Sequence, residues 1–202
     1  MKDYNDIVSN VKVYGIGESI RRAKFPMAAD ISALTMELTP GIKALGCSER
    51  GAGHDNFMNG IIVQFDLKFT VKCWTECERY HFIDFVSSQS TMHRITRFDL
   101  DDAYIEYVDP RIVEIMKEKV ANYNASAELD PPDVRAQKYL EILYSNPCGF
   151  RLTAGMTTNY RQLKTIYHQR KDHRLPEWRL FCKWIESLPH SYLITDIKKQ
   201  EK

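Results

Sequence analysis

No stretch of this 202-residue chain approaches the roughly 20 consecutive apolar residues that a membrane-spanning helix needs, so no membrane partner is expected. The opening residues, M-K-D-Y-N-D-I-V, lack an apolar core of signal-peptide length. An excess of one charge is also lacking. The formal net charge is +1, and nothing in the bulk calls for a nucleic acid or an anionic membrane as partner. Cysteine does not occur in an even, disulfide-like set. There are five, Cys47, Cys73, Cys77, Cys148 and Cys182. An odd count without a leader points to reduced thiols and a cytoplasmic location. Cys73, Cys77 and His81 are spaced by four, and a helix would stack them as three metal ligands. No fourth ligand is evident nearby, so they read better as small buried groups and no metal is expected. Internal repeats, low-complexity runs and linker-like segments are absent, and a single domain over residues 1–202 is the economical reading.

What is present is an ordinary globular composition, 44% hydrophobic and 27% charged. The clearest element is a strand over residues 63–72. Val63, Phe65, Leu67, Phe69 and Val71 alternate with Gln64, Asp66, Lys68, Thr70 and Lys72. One face therefore lies on a core and the other is wet, which favours an antiparallel or mixed sheet. Residues 11–16 read as a short strand, and Gly15-Ile16-Gly17 opens a helix. That G-x-G lacks the third glycine of a dinucleotide fingerprint, since Ile20 holds its place. Helices are expected over 27–36, from 73 to about 85, over 110–125, and over 134–144. In the helix at 110–125, Ile112, Val113, Ile115, Met116 and Val120 form the apolar side, with Pro110 in its first turn. A less regular strand over 150–157 leads into another helix, and a last helix ends near Ser187. The class is α+β, with a central, mostly antiparallel sheet flanked by helices.

The most informative run is N-Y-R-Q-L-K-T-I-Y-H-Q-R, from Asn159 to Arg170. At about 100° per residue, its 11 steps amount to three turns and roughly 20°. Asn159 and Arg170 thus share one face, roughly 16 Å apart along the axis. No small ligand bridges that gap, but a long polar ligand or two adjacent ligands would. Arginine offers a planar fork of donors suited to phosphates and pyrimidine carbonyls. A solvated helix face is the alternative reading. The turn-rich segment C-S-E-R-G-A-G-H-D-N-F carries Gly51 and Gly53, which let backbone approach a ligand, with His54 beside them. It reads equally as a surface loop.

Order and spacing together resemble the flavin-dependent thymidylate synthases. G-A-G-H-D-N-F precedes the long alternating strand. R-Y-H and a serine-rich turn follow, and N-Y-R-Q-L, the 11-residue interval to Arg170, and E-W-R close the set. The resemblance covers roughly residues 50–195. Arg79-Tyr80-His81 stands where the family has R-H-R. Gln89, flanked by Ser88 and Ser90, falls where its serine would be, and Glu76 replaces a glutamine. Leu143 replaces an arginine ahead of the turn proline Pro147, a contact that Arg94 or Arg151 would have to supply. Thr165 stands where a second flavin-side asparagine is often found.

The resemblance implies an enzyme that transfers a one-carbon unit from methylenetetrahydrofolate to C5 of dUMP, with reduction by FAD and NADPH. It implies a homotetramer with sites between subunits. By the same resemblance, His54, Arg79, His81, Asn159 and Arg161 would bind the cofactor. Glu76, Ser88, Ser90, Arg94 and Arg170 would bind the nucleotide, with Arg170 and Ser90 the catalytic candidates. Two alternatives stay open: a diverged flavoenzyme modifying another pyrimidine deoxynucleotide, and a non-catalytic nucleotide-binding protein on the same fold.

Overall fold

A computed structural model describes residues 1–196. The alternating run becomes β2 (Ile62–Thr70), whose Val63, Phe65, Leu67 and Phe69 are buried. It pairs antiparallel with β1 (Val8–Tyr14), from Val8 opposite Leu67 to Tyr14 opposite Ile62. With β3 (Ile83–Ser88) and β4 (Arg151–Asn159) these make a four-stranded antiparallel sheet, in the order β1-β2-β4-β3, flanked by helices. The expected α+β class is therefore observed.

The helices are α1 (Ile16–Ala23), α2 (Pro40–Gly46), α3 (Val71–Cys77), α4 (Thr91–Arg94), α5 (Pro110–Ala125), α6 (Pro132–Ser145), α7 (Tyr160–Arg170), α8 (Pro176–Glu186) and α9 (Tyr192–Thr195). Gly15 precedes α1 at φ 77°, and a Cβ there would meet the Gly60 carbonyl oxygen at 2.5 Å, so only glycine serves. Thr70 ends β2 and caps α3, its hydroxyl accepting from the Cys73 N–H at 3.1 Å. Among the described residues no helix is long and apolar enough to cross a membrane.

The chain forms two compact units, each assembled from separate segments. The first comprises Met1, Lys68–Arg79 and Ser87–Ala154, and the second Lys2–Leu67, Tyr80–Val86 and the residues from Gly155 on. In the first, Ile95, Leu100, Tyr104, Met116, Val120, Ile142 and Phe150 form the core. Phe98 and Tyr104 meet Phe150 edge-on, with centroids 5.1 and 5.4 Å away. In the second, Phe65, Phe181 and Trp184 cluster, with centroids 4.5 to 5.9 Å apart, and Tyr160, Leu163, Ile166 and Trp178 are fully buried.

Three sequence expectations need correction. Residues 27–36 are not helical. The Asp30 carboxylate accepts from the Ser32 N–H at 2.8 Å and its hydroxyl at 2.7 Å, a local turn that competes with a helix. Met27 and Met36 are exposed, so no apolar face holds a helix there. The helix from residue 73 stops at Cys77 instead of reaching Phe85. Phe82 takes a left-handed φ of 61°, with its carbonyl accepting from Thr158 Oγ1 at 2.7 Å, and β3 begins at the next residue. Cys77 and His81 consequently do not share a helix face. On α5 the apolar stripe is narrower than expected. Met116 and Val120 are buried and Val113 half-buried, while Ile112 and Ile115 are exposed.

Candidate functional site

β4 delivers the chain to α7 through Asn159. Its side-chain oxygen accepts from the Gln162 N–H at 2.9 Å and satisfies one of the open donors of the helix start. Asn159 is thus the cap of α7 and not a residue within it. Its Nδ2 is the donor it can offer a ligand. Tyr160, Leu163 and Ile166 fix the inner face of the helix in the second unit, leaving Arg161 and Thr165 half-buried.

Beside this helix start is an open cavity of about 590 Å³. Asn159, Arg161, Gln162 and Thr165 line it from the start of α7, Arg50, Gly51, Asp55 and Asn59 from the earlier loop segment, and Phe82 from the turn before β3. Gly51 has φ 90° and open space where a Cβ would be, so bare backbone faces this region. The Arg50 guanidinium donates to the Thr165 carbonyl at 3.3 Å. Gln162 Nε2 is buried and has no hydrogen-bond partner among the described residues. A cavity wall with two guanidinium groups and an unspent amide donor suits a ligand rich in anionic and carbonyl oxygens.

Asp55 and Arg161 of this lining belong to a charge cluster that runs into the interior. Asp55 accepts from Arg161 Nε on one carboxylate oxygen and from Lys164 Nζ on the other, both at 3.0 Å. Lys164 is fully buried and donates twice more, to the carbonyls of Gly46 at 2.8 Å and Ser48 at 2.6 Å. Those carbonyls lie at the end of α2, where helical oxygens lack internal partners and a cation is favoured. All three Lys164 donors are therefore used.

No protein-family model and no curated protein matches the chain. Solved structures do. Flavin-dependent thymidylate synthase ThyX from Helicobacter pylori, complexed with FAD and dUMP, is similar with a TM-score of 0.68 at 13% identity, over 94% of this chain and 100% of that one. A second ThyX structure from the same organism, also with FAD and dUMP, gives 0.64 at 14% identity over 94% and 96%. The UMP/dUMP methylase PolB from Streptomyces cacaoi, bound with 5-Br dUMP, gives 0.59 at 14% identity over 89% of each chain. The fold is that of the flavin-dependent thymidylate synthases.

On this thymidylate synthase fold, the residues singled out from sequence fall in several places. Asn159 and Arg161 line the cavity together. His54 is exposed on the loop next to Asp55, and His81 is exposed next to Phe82; neither lines the cavity. Arg170 ends α7, outside the cavity lining, and its Nε donates to Tyr80 Oη at 2.7 Å. Its guanidinium lies 5.0 Å from the Trp178 ring and 5.4 Å from that of Tyr80.

In the first unit, Glu76 pairs with Lys72 at 3.2 Å along α3, and Arg79 is exposed just beyond that helix. Ser88 is the exposed last residue of β3. Ser90 precedes α4 without a side-chain capping bond, and Arg94 is exposed at the end of α4. Arg151 lines a small pocket of about 210 Å³ with Lys68, Gln89 and Thr153, and bonds Asp102 at 2.9 Å. The hydrogen bond from Lys68 and the charges of Lys68 and Arg151 hold the Asp102 carboxyl below its ordinary range.

Sequence reasoning passed over Asp55, Lys164 and Gln162 and gave no role to Arg50. For Lys164 a signal existed. Tyr160, Leu163, Lys164 and Tyr167 follow the i, i+3, i+4, i+7 spacing, so a lysine stands on the apolar side of its helix. Asp55 had no local signal, because its two partners are 106 and 109 residues away.

Proposed function

We propose that this protein is a flavin-dependent thymidylate synthase-like enzyme that binds FAD at the α7 cavity and acts on dUMP. The observation that carries the reading is the joint placement of Asn159 and Arg161, the N-x-R pair, on one cavity wall in a fold whose solved examples hold FAD and dUMP. The residues fit a flavin: guanidinium groups for phosphate oxygens, and Asn159 Nδ2 and Gln162 Nε2 for carbonyl or ring acceptors. FAD, when bound, supplies the reducing chemistry, with NADPH as its reductant and methylenetetrahydrofolate as the carbon donor.

The chain's own part is to bind and orient. Arg161 and Arg50 hold anionic oxygens, and the capping bond of Asn159 fixes its amide toward the ligand. His54, Arg79 and His81 complete the proposed cofactor contacts. Glu76, Ser88, Ser90 and Arg94 contact the nucleotide with Arg170, whose cation polarises the pyrimidine ring. The proposed assembly is a homotetramer with sites between subunits, so groups from different copies can converge. Free thiols throughout fit a reducing, cytoplasm-like compartment.

A second reading, modification of a different pyrimidine nucleotide, is favoured by Tyr80-His81 in the R-H-R position and by the likeness to a UMP/dUMP methylase. The absorbance spectrum of the purified protein, with FAD titration, tests the flavin. A protein that stays colourless and ignores FAD refutes both readings. Product analysis with dUMP, UMP or dCMP, methylenetetrahydrofolate and NADPH separates them. Thymidylate from dUMP supports the first, and a product from UMP or dCMP alone supports the second.

A further inference from the structure

We propose that the buried Asp55–Lys164 pair is a positioning device for Arg161, presenting its guanidinium to an anionic group of the ligand in the α7 cavity. This rests on the reading of that cavity as a ligand site and identifies what organises it.

The geometry divides the labour. Asp55 spends one oxygen on Arg161 Nε and the other on Lys164 Nζ, each at 3.0 Å. Arg161 is therefore held by its inner nitrogen. Both Nη atoms have no protein partner among the described residues, and its side chain keeps 38% of its exposure. Asp55 and Lys164 keep 2% and 0%. A fork held from behind loses less freedom on binding than one swinging in solvent. With Asp55 and Arg161 alone the local charge would cancel. Lys164 restores a net cation without itself reaching the cavity, and Arg50 adds a second in the lining.

The sign of one substitution discriminates. A carboxylate that merely stood near an anion would repel it, and its removal would tighten binding. A carboxylate that orients Arg161 does the reverse. The experiment is a double-mutant cycle of Asp55→Asn and Arg161→Lys, reading the dissociation constants of two probes, FAD and inorganic pyrophosphate. Asp55→Asn should weaken pyrophosphate and FAD about tenfold with Arg161 present, and by less than about twofold in the Arg161→Lys background. Should Asp55→Asn fail to fold, the charge-matched Asp55→Asn/Lys164→Gln variant takes its place, since replacing both buried charges is milder than orphaning one.

Tighter binding in Asp55→Asn, or equal losses in both backgrounds, overturns the proposal. Pyrophosphate binding that shows the coupling without any FAD binding leaves the inference standing and removes the flavin. FAD binding without coupling does the opposite. Wild-type protein that binds neither probe removes both.

Discussion

Replacing Lys164 with methionine should expose how much the buried cluster contributes to the fold. Methionine fills most of the lysine stem, so little cavity opens, and the loss is that of the ammonium group. Three acceptors lose their donor at once: the Gly46 and Ser48 carbonyls and one oxygen of Asp55. Removing one partner of a buried ion pair costs about 3–5 kcal/mol. Asp55 keeps Arg161 at 3.0 Å, which puts the expected loss near the lower end, about 3 kcal/mol. For a domain of this size that lowers the melting temperature by about 6–12 °C. In urea, at roughly 2 kcal/mol per molar, it shifts the midpoint by about 1.5 M. Circular dichroism melts are the assay, with Lys183→Met on the exposed side of α8 as a control expected within about 0.5 kcal/mol. Local opening adds a second readout. The loop after α2 loses its tie to α7, and trypsin should cut after the exposed Arg50 faster than in wild type. A global loss below about 1 kcal/mol, comparable to an exposed ion pair, would refute the reasoning.

Arg170→Lys should lower stability by about 1–2 kcal/mol in urea melts, because lysine forfeits the Nε bond to Tyr80 and the stacking on Trp178; an unchanged midpoint contradicts this. Ellman titration of the native protein should find one fast thiol, Cys148, and all five after denaturation. Burial pushes the Cys182 thiol up to about 12, which suppresses its reactive thiolate, so rapid native labelling at Cys182 would be inconsistent with this packing. Burial lowers the pKa of His168 from its ordinary 6.5, so the unfolded chain takes up a proton there before the folded one does. Stability should be unaffected by this group above pH 6.5 and fall as the pH drops below it; His168→Gln should flatten that part of the stability profile, and an identical slope in the variant would exclude His168 as its source.

The elements visible in the sequence are those whose burial is one-sided. The alternating apolar run announced β2, which holds Val63, Phe65, Leu67 and Phe69 while Val71 opens α3, and Pro110 with the spacing after it bounded α5 as observed, Pro110–Ala125. β3 was not visible for the complementary reason. It is the edge strand, and after Ile83 each of its residues is exposed, so no period-two contrast marks it. The preceding helical spacing then continued through it by default. Chain reversal at Phe82 depends on a bond from Thr158, 76 residues away, which no local pattern encodes. The site divides along the same line. Asn159 and Arg161 were legible because a three-residue motif, N-x-R, places both at one helix start. Asp55 was not, since its meaning depends entirely on α7 lying beside its loop.

The interval between Asn159 and Arg170 gains a physical meaning from this arrangement. Spacing put the two on one helix face, roughly 16 Å apart. At one end, Asn159 caps the helix and Arg161 faces a cavity from a carboxylate support. At the other, Arg170 rests on an aromatic platform of Tyr80 and Trp178, themselves in contact at 5.8 Å. The same cation type is thus held in two different ways. A carboxylate support fixes a guanidinium by charge and leaves its outer fork for anionic oxygens. An aromatic support fixes the plane of the guanidinium by stacking. The first holds a guanidinium at a cavity lining, and the second packs one against rings outside that lining. Under the proposed function the two ends of α7 would serve two adjacent ligands, and loss of FAD binding on Arg161→Lys but not on Arg170→Lys would assign the cavity end to the flavin.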